Sequence, residues 1–289
     1  VGKVGDLHTA NRRIYSIPEV AAHYAALEYL TPCERFLFDR HITPQTAILD
    51  VGVGGGRTTP YLSQVASHYV GLDYSEEMVK ICRKKFPQLK FSVADASNLA
   101  EFQDASFDVV VMSFNTIDYL LPDEKRQQCL EECRRVLRNG GVLIFSSHNP
   151  RSILVRPAWD RARLRAFAGK LVSSHSSFFP LLVLQLSIAK AVHAFCRAFA
   201  HSAARILRRI ARPIFWRGEG YLFDSAHGGL MTRYSTPARV VAELAQFDFQ
   251  VTAQLGDDYP LRSRTFMTDW YYYVFCKNTD ESVRGEACA

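Results

Sequence analysis

Residues 47–59, Ala-Ile-Leu-Asp-Val-Gly-Val-Gly-Gly-Gly-Arg-Thr-Thr, limit what this chain can fold into more than any other stretch. Three apolar residues run into Asp50, and glycine then stands at 52, 54 and 56. The run predicts a buried strand ending in a tight turn that opens a helix. A glycine has no Cβ, so backbone N–H groups at such positions can come close to a ligand that a side chain would push away. The spacing D-x-G-x-G-x-G is out of phase with the dinucleotide fingerprint G-x-G-x-x-G.

The pattern of strand followed by acid repeats. Tyr69–Tyr74 reads as a second apolar strand, closing on Asp73. That acid follows the glycines by about 20 residues, the separation at which a side chain on the next strand can accept hydrogen bonds from ribose hydroxyls. Ser75 then suits a helix N-cap, with Glu76 and Glu77 in the positive first turn. Phe91–Ala96 is a third strand with Asp95 near its end, and Phe107–Ser113 a fourth, almost continuously apolar. A helix is expected to end over Glu131–Leu137, stopped by Asn139-Gly140-Gly141, before a fifth strand at Val142–Phe145. Further on, a helix capped at Ser235 or Thr236 and started by Pro237 precedes strands at Phe249–Ala253 and Trp270–Cys276. Strands and helices alternating in this way predict an α/β fold, a doubly wound, mostly parallel sheet of seven strands. Ligands of such sheets lie outside the carboxyl ends of the strands, where Asp50, Asp73, Asp95, Ser113 and Ser146 fall. One acid after one strand is ordinary turn chemistry, but three after three successive strands are hard to explain that way.

The Asp50–Gly56 turn with the acids at 73 and 95 resembles motif I and the following strands of the class I S-adenosylmethionine (SAM) methyltransferases of bacterial small-molecule type. The resemblance covers roughly residues 10–150 and resumes after 235. It implies a Rossmann-like fold and SAM as cofactor, held by Asp50, Gly52, Gly54, Gly56, Asp73, Tyr74, Asp95, Ala96, Ser113 and Tyr24. In the family, the acid at 95 and its neighbour meet the adenine edge. A helix like the one opening at Tyr15–Tyr24 closes over the cofactor there, with a tyrosine at its methionine end. Arg57 either pairs with the cofactor carboxylate or caps a helix start, and both readings stay open. The family motifs define the cofactor and leave the acceptor unnamed.

Catalytic candidates follow the fourth and fifth strands, in Ser113–Tyr119 and Ser146–Pro150. His148 is the first choice as general base, because an unperturbed imidazole pKa of about 6.5 suits proton transfer near neutrality. The competing reading has it bonding backbone where an insertion begins. Asn115 holds a substrate hydroxyl or the methionine moiety, or else caps a turn, and Asp118 is a weaker base candidate.

A minimal fold of this type has no need of the more than eighty residues between Asn149 and Ser235. The expected organisation is a SAM-binding domain over 1–150 and 235–279, with an N-terminal helical cap, and a basic, mostly helical insertion over 151–234. Residues 151–217 hold 13 Lys and Arg against one acid, Asp160, a net of +12, so the remainder of the +6 chain carries −6. Helices are expected at 158–171 and 180–211. The second has a basic stripe from Lys190 to Arg212 and an apolar side from Ile188 to Ile210. Three readings compete for it: a lid with a solvated face, an interfacial helix on anionic lipid suiting a lipid-linked substrate, and a face for an acidic partner or nucleic acid. Residues 218–234 are expected to form a hairpin bordering the pocket mouth. No membrane span is expected, because the apolar run Phe178–Ala189 holds 12 residues, where about 20 are needed to cross.

No secretory leader is expected over 1–13. Seven cysteines without C-x-x-C point to free thiols in a reducing cytoplasm, and no cluster suggests a metal. The location expected is cytoplasmic, or peripheral to a membrane if the interfacial reading holds. Nucleic acid is not the expected substrate, since Ser113-Phe114-Asn115-Thr116 stands where an N-P-P-Y-like motif would be. Oligomeric state is not legible. Three functions remain: methyl transfer to O or N of a small or lipid-linked metabolite, with secondary metabolism the expected setting; cyclisation of SAM with release of methylthioadenosine; and a non-catalytic SAM-binding or membrane-docking module.

Overall fold

The computed structural model describes residues 5–150, 218–224, 230–263 and 268–278. The helices expected at 158–171 and 180–211, with their lid and membrane roles, lie outside those residues. Three helices, α1 (Gly5–Tyr15), α2 (Pro18–Ala25) and α3 (Pro32–His41), precede β1 (Ala47–Val51). Then come α4 (Thr59–Val65), β2 (His68–Asp73), α5 (Glu76–Lys85), β3 (Lys90–Val93) and β4 (Phe107–Met112). A 3₁₀ turn at Thr116–Tyr119 leads to α6 (Asp123–Val136) and β5 (Leu137–His148). After the insertion follow β6 (Glu219–Asp224), β7 (Leu230–Ser235), α7 (Pro237–Ala245), β8 (Phe249–Gly256) and β9 (Trp270–Lys277).

Seven strands form one sheet in the order β3-β2-β1-β4-β5-β9-β8, and β6 and β7 pair as a separate hairpin. The first five run parallel, and β9 is antiparallel to both neighbours. This is the doubly wound, mostly parallel sheet expected. Strand order reverses between β1 and β4, so a crevice opens at their carboxyl ends. Every residue of β1 is buried, because helices cover both faces of the sheet. On β9 the two-residue period divides the aromatics: Tyr271, Tyr273 and Phe275 enter one core, Tyr272 and Val274 the other.

The start of β5 differs from expectation. Asn139-Gly140-Gly141 does not separate a helix from a strand; the helix ends at Val136 and the strand begins at Leu137. Phe107 pairs with Leu137 and Val109 with Val142, so residues 138–141 bulge out of an unbroken element. Gly140, at φ +74°, supplies the left-handed residue this bulge needs. Asp108 secures the spot, accepting from Arg138 Nη1 at 2.6 Å and from Ala47 N at 2.8 Å.

Among the described residues Cys33, Cys82, Cys129 and Cys133 are buried free thiols. Cys276 departs from the expectation, being disulfide-bonded. No described helix is long and apolar enough to cross a membrane, and no described group of His, Cys, Asp and Glu is arranged to hold a metal.

Candidate functional site

A cavity of ≈ 900 Å³, its open mouth included, lies at the carboxyl ends of β1, β2 and β4 and beside Ala94–Ala96. The glycine turn forms its floor. Gly52 N and Val53 N both donate to Leu72 O, at 2.8 and 2.9 Å, which folds the turn back onto β2. Gly52 has φ +72°, and a Cβ there would lie 2.4 Å from Thr116 Cγ2, so the missing side chain lets the 3₁₀ turn close over the end of β1. Gly54, at φ +54°, is different: a Cβ there would meet nothing within 4 Å, because this position faces open space. Both line the cavity, whereas Gly56 does not; it packs where a Cβ would meet Phe86.

Asp73 is the buried acid on the wall. Its Oδ2 accepts from Gly54 N and its Oδ1 from Ser75 N, each at 2.9 Å. Burial raises its pKa to about 6, against the pull of those backbone donors. A carboxylate has about four lone-pair sites, so capacity for further donors remains.

Asp50 ends the neighbouring strand but is not on the wall. Thr58 Oγ1 donates to its Oδ2 at 2.7 Å and Tyr69 OH at 2.9 Å. Burial raises this acid to about 6 as well. Its partners give it the job of tying β1 to β2 and to the start of α4.

The other cofactor candidates, Tyr24, Tyr74, Asp95, Ala96 and Ser113, all line the cavity. Asp95 accepts from Ser97 N and Ser97 Oγ and pairs with Lys125 Nζ at 3.1 Å. Tyr15 sits against Tyr24, Tyr74 and Tyr119, with ring centroids 5.6, 6.1 and 5.9 Å away, and all four rings line the cavity. Arg57 follows neither reading offered for it. Its guanidinium forms a bidentate pair with the buried Glu34, at 2.7 and 2.5 Å, donates to Tyr29 O, and stacks 3.7 Å from the Phe114 ring centroid. Glu34 is fixed in turn by a reciprocal cap with Thr31 at the start of α3.

His148 and Asn115 come together, but one layer behind the wall made by Phe114, Thr116 and Tyr119. Asn115 Nδ2 lies 3.2 Å from His148 Nε2. Phe114 and Asn115 both have left-handed backbones, at φ 51° and 58°, a strained pair of the kind that clusters at functional sites. Asn115 N donates to Ser146 Oγ at 2.8 Å, which holds that turn against β5. Behind His148 stands Asp118, fully buried, whose Oδ2 accepts from His148 N at 2.7 Å and pairs with Nδ1 at 2.9 Å. Arg126, also fully buried, reaches Asp118 at 3.2 Å and Glu243 at 2.9 Å. Arg233 of the hairpin joins Glu243 at 2.8 Å and Glu219 at 2.7 Å. Desolvation raises the Glu243 pKa, but Arg126 and Arg233 outweigh it and hold the group low. The hairpin therefore sits on this network, with the Tyr234 ring 4.9 Å from His148, and none of its described residues lines the cavity.

Sequence reading passed over the wall residues Met78 and Leu27 and the Glu34 partner of Arg57, and gave Thr116 and Tyr119 no role of their own within the run Ser113–Tyr119. Tyr119 stood in the run after the fourth strand, and its position beside Asp118 was the available signal.

A methyltransferase domain model matches residues 49–145. A demethylmenaquinone methyltransferase of Clavibacter sepedonicus is 34% identical over 142 residues, 47% of this chain and 56% of that protein. The chain spans about half the length of the curated relatives it matches. Among solved structures, a SAM-dependent methyltransferase of Methanosarcina mazei aligns with TM-score 0.55 at 16% identity, over 87% of this chain and 99% of that one. The 1,6-didemethyltoxoflavin-N1-methyltransferase of Burkholderia thailandensis, solved with 1,6-didemethyltoxoflavin and S-adenosylhomocysteine, aligns with TM-score 0.57 at 13% identity, covering 96% and 92%. These likenesses at low identity speak for the fold, and they agree with the family match over the glycine turn and the strands beside it. Over residues 49–145 this chain matches the methyltransferase domain family and is similar to proteins named as methyltransferases.

Proposed function

We propose that the chain transfers a methyl group from SAM to an oxygen or nitrogen of a small, uncharged and largely apolar acceptor. The observation that carries this reading is Asp73, whose carboxylate is oriented by two backbone N–H groups on the cavity wall and keeps lone pairs for a ribose diol. The residues fit the cofactor. The open side of Gly54 leaves room against the turn, and Asp95 and Ala96 border the space for an adenine edge. Tyr15 and Tyr24 stand where the methionine end would be covered.

SAM supplies a methyl made electrophilic by a sulfonium. The chain's task is then to orient the nucleophile and exclude water. The rings of Phe114 and Tyr119 offer an apolar surface beside the glycine turn. Apart from Asp73, which this reading gives to the ribose, Arg57 is compensated by Glu34 and Asp95 by Lys125, which supports an uncharged acceptor. The Clavibacter relative, named for a quinone substrate, supports the same polarity. The lipid-linked version of this acceptor rests on residues 180–211 alone, outside the described set. His148 is the general base in this reading and is reached from the cavity through water, because it stands behind the wall beside Asn115.

The test is product analysis. Purified protein, incubated with methyl-labelled SAM and a panel of phenols, quinols and amines, should release S-adenosylhomocysteine and a labelled acceptor. Methylthioadenosine without a labelled acceptor would instead favour cyclisation of the cofactor. SAM binding without turnover of any kind would leave a binding module.

A further inference from the structure

We propose that Asp118 is a positioning residue: its carboxylate holds His148 in the tautomer that carries hydrogen on Nδ1, which keeps Nε2 as the proton acceptor and makes a hydroxyl the acceptor group of the reaction. This rests on the methyl-transfer reading above and deepens it.

The two residues stand at the ends of different elements, Asp118 in the 3₁₀ turn after β4 and His148 at the last position of β5. Asp118 is fully buried, and four donors surround its two oxygens. Ser147 Oγ at 2.9 Å and Arg126 Nη1 at 3.2 Å reach Oδ1. His148 N at 2.7 Å and His148 Nδ1 at 2.9 Å reach Oδ2. An ionised carboxylate only accepts, so the ring nitrogen facing it must carry the hydrogen. The backbone N–H of the same histidine binds the same oxygen, which pins the ring to the end of β5. Tyr119 and Tyr234 pack against it, with ring centroids at 6.0 and 4.9 Å.

Nε2 is left with a lone pair, which Asn115 Nδ2 meets at 3.2 Å. The other end of that amide, Oδ1, is buried and has no hydrogen-bond partner among the described residues. Once Nε2 gains a proton it becomes a donor. An Asn115 amide turned over then presents Oδ1 to it, so one side chain serves both protonation states.

A neutral amine brings its own lone pair to methyl transfer, whereas a hydroxyl benefits from a base. In the transfer the acceptor's O–H bond breaks and its electron pair forms the bond to the methyl carbon. The carbon–sulfur pair stays on sulfur, and the proton goes to Nε2 through a water, because His148 does not line the cavity. The resulting imidazolium faces the Asp118 carboxylate.

The test begins with ligand-free protein. Long-range ¹H–¹⁵N spectra, with His148 assigned through His148→Gln, should show neutral His148 protonated on Nδ1 and bare on Nε2; the Nε2–H tautomer overturns the proposal. Asp118→Asn removes the charge that faces Nδ1, so the preference for the Nδ1–H tautomer should weaken. Turnover of a hydroxyl acceptor should then fall by about 10²–10⁴-fold with S-adenosylhomocysteine affinity unchanged. A folded Asp118→Asn enzyme with unaltered kcat also overturns it. Should that variant fail to fold, the wild-type spectrum decides alone. Failure of the wild type to bind S-adenosylhomocysteine defeats the methyl-transfer reading, while binding together with the Nε2–H tautomer defeats only this inference.

Discussion

Asp50 and Asp73 close adjacent strands, are both buried, and are both raised to about 6 by burial, yet only one faces the cavity. Asp50 spends its carboxylate on Thr58 and Tyr69, inside the protein. Asp73 is met by two backbone N–H groups, one from the glycine turn and one from Ser75, and it lines the cavity. The contrast lies in what satisfies each acid: side chains hold Asp50 away from the cavity, while main-chain donors hold Asp73 on its wall. The same division separates the halves of the site. The ends of β1–β3 work through short-range backbone geometry. The ends of β4 and β5 work through buried charges drawn from distant parts of the chain.

The largest effect expected falls on a side-chain partnership in the first half. Glu34→Gln strips the charge from one side of the buried pair with Arg57. Breaking such a pair costs about 3–5 kcal/mol of stability, readable in urea unfolding. A loss near zero would mean that Arg57 finds another partner and that the wall does not depend on α3.

Asp50→Asn sharpens the contrast between the two acids. The native carboxyl keeps its proton up to about pH 6, while the unfolded one does so only to about 3.9. Its contribution to stability is therefore full below about pH 4 and is lost as pH rises through about 6. The neutral isostere should gain on the wild type between pH 4 and 7, by up to about 3 kcal/mol, in thermal unfolding followed across pH. Its affinity for S-adenosylhomocysteine should not change.

Asp73→Asn should differ in the other readout, weakening S-adenosylhomocysteine by about 100-fold in calorimetry, the scale of hydrogen bonds to a charged acceptor. Equal losses of affinity in the two variants would erase the distinction drawn between the acids. The smallest effect is a pH dependence. Protonation of free Asp73 below about 6 competes with hydroxyl donors, so affinity should fall by up to about tenfold per pH unit below that point. Measured in the Asp50→Asn background, the slope belongs to Asp73, and Asp73→Asn should flatten it.

What the sequence disclosed follows the same line. The parallel strands, the hairpin and the glycine turn depend on local patterns, and each was readable in the chain. Asp73 was readable because its distance from the turn follows from one strand–helix–strand unit. Asp50 was assigned to the cofactor since nothing nearby shows that Tyr69, on the next strand, claims its oxygen. Glu34 with Arg57, and Asp118 with His148, lie too far apart for any pattern to join them; only the closed sheet does so. Asn139-Gly140-Gly141 misled for a different reason: glycines that end a helix also make a bulge, and the pairing of β4 with β5 decides between them.

The most direct test is a crystal structure of the protein with S-adenosylhomocysteine. The adenosyl group should lie in the cavity over Gly54, with ribose hydroxyls within about 2.5–3.0 Å of the Asp73 carboxylate and Asp50 still held by Thr58 and Tyr69. An adenosyl group bound elsewhere, or ribose hydroxyls that leave Asp73 unengaged, would contradict it.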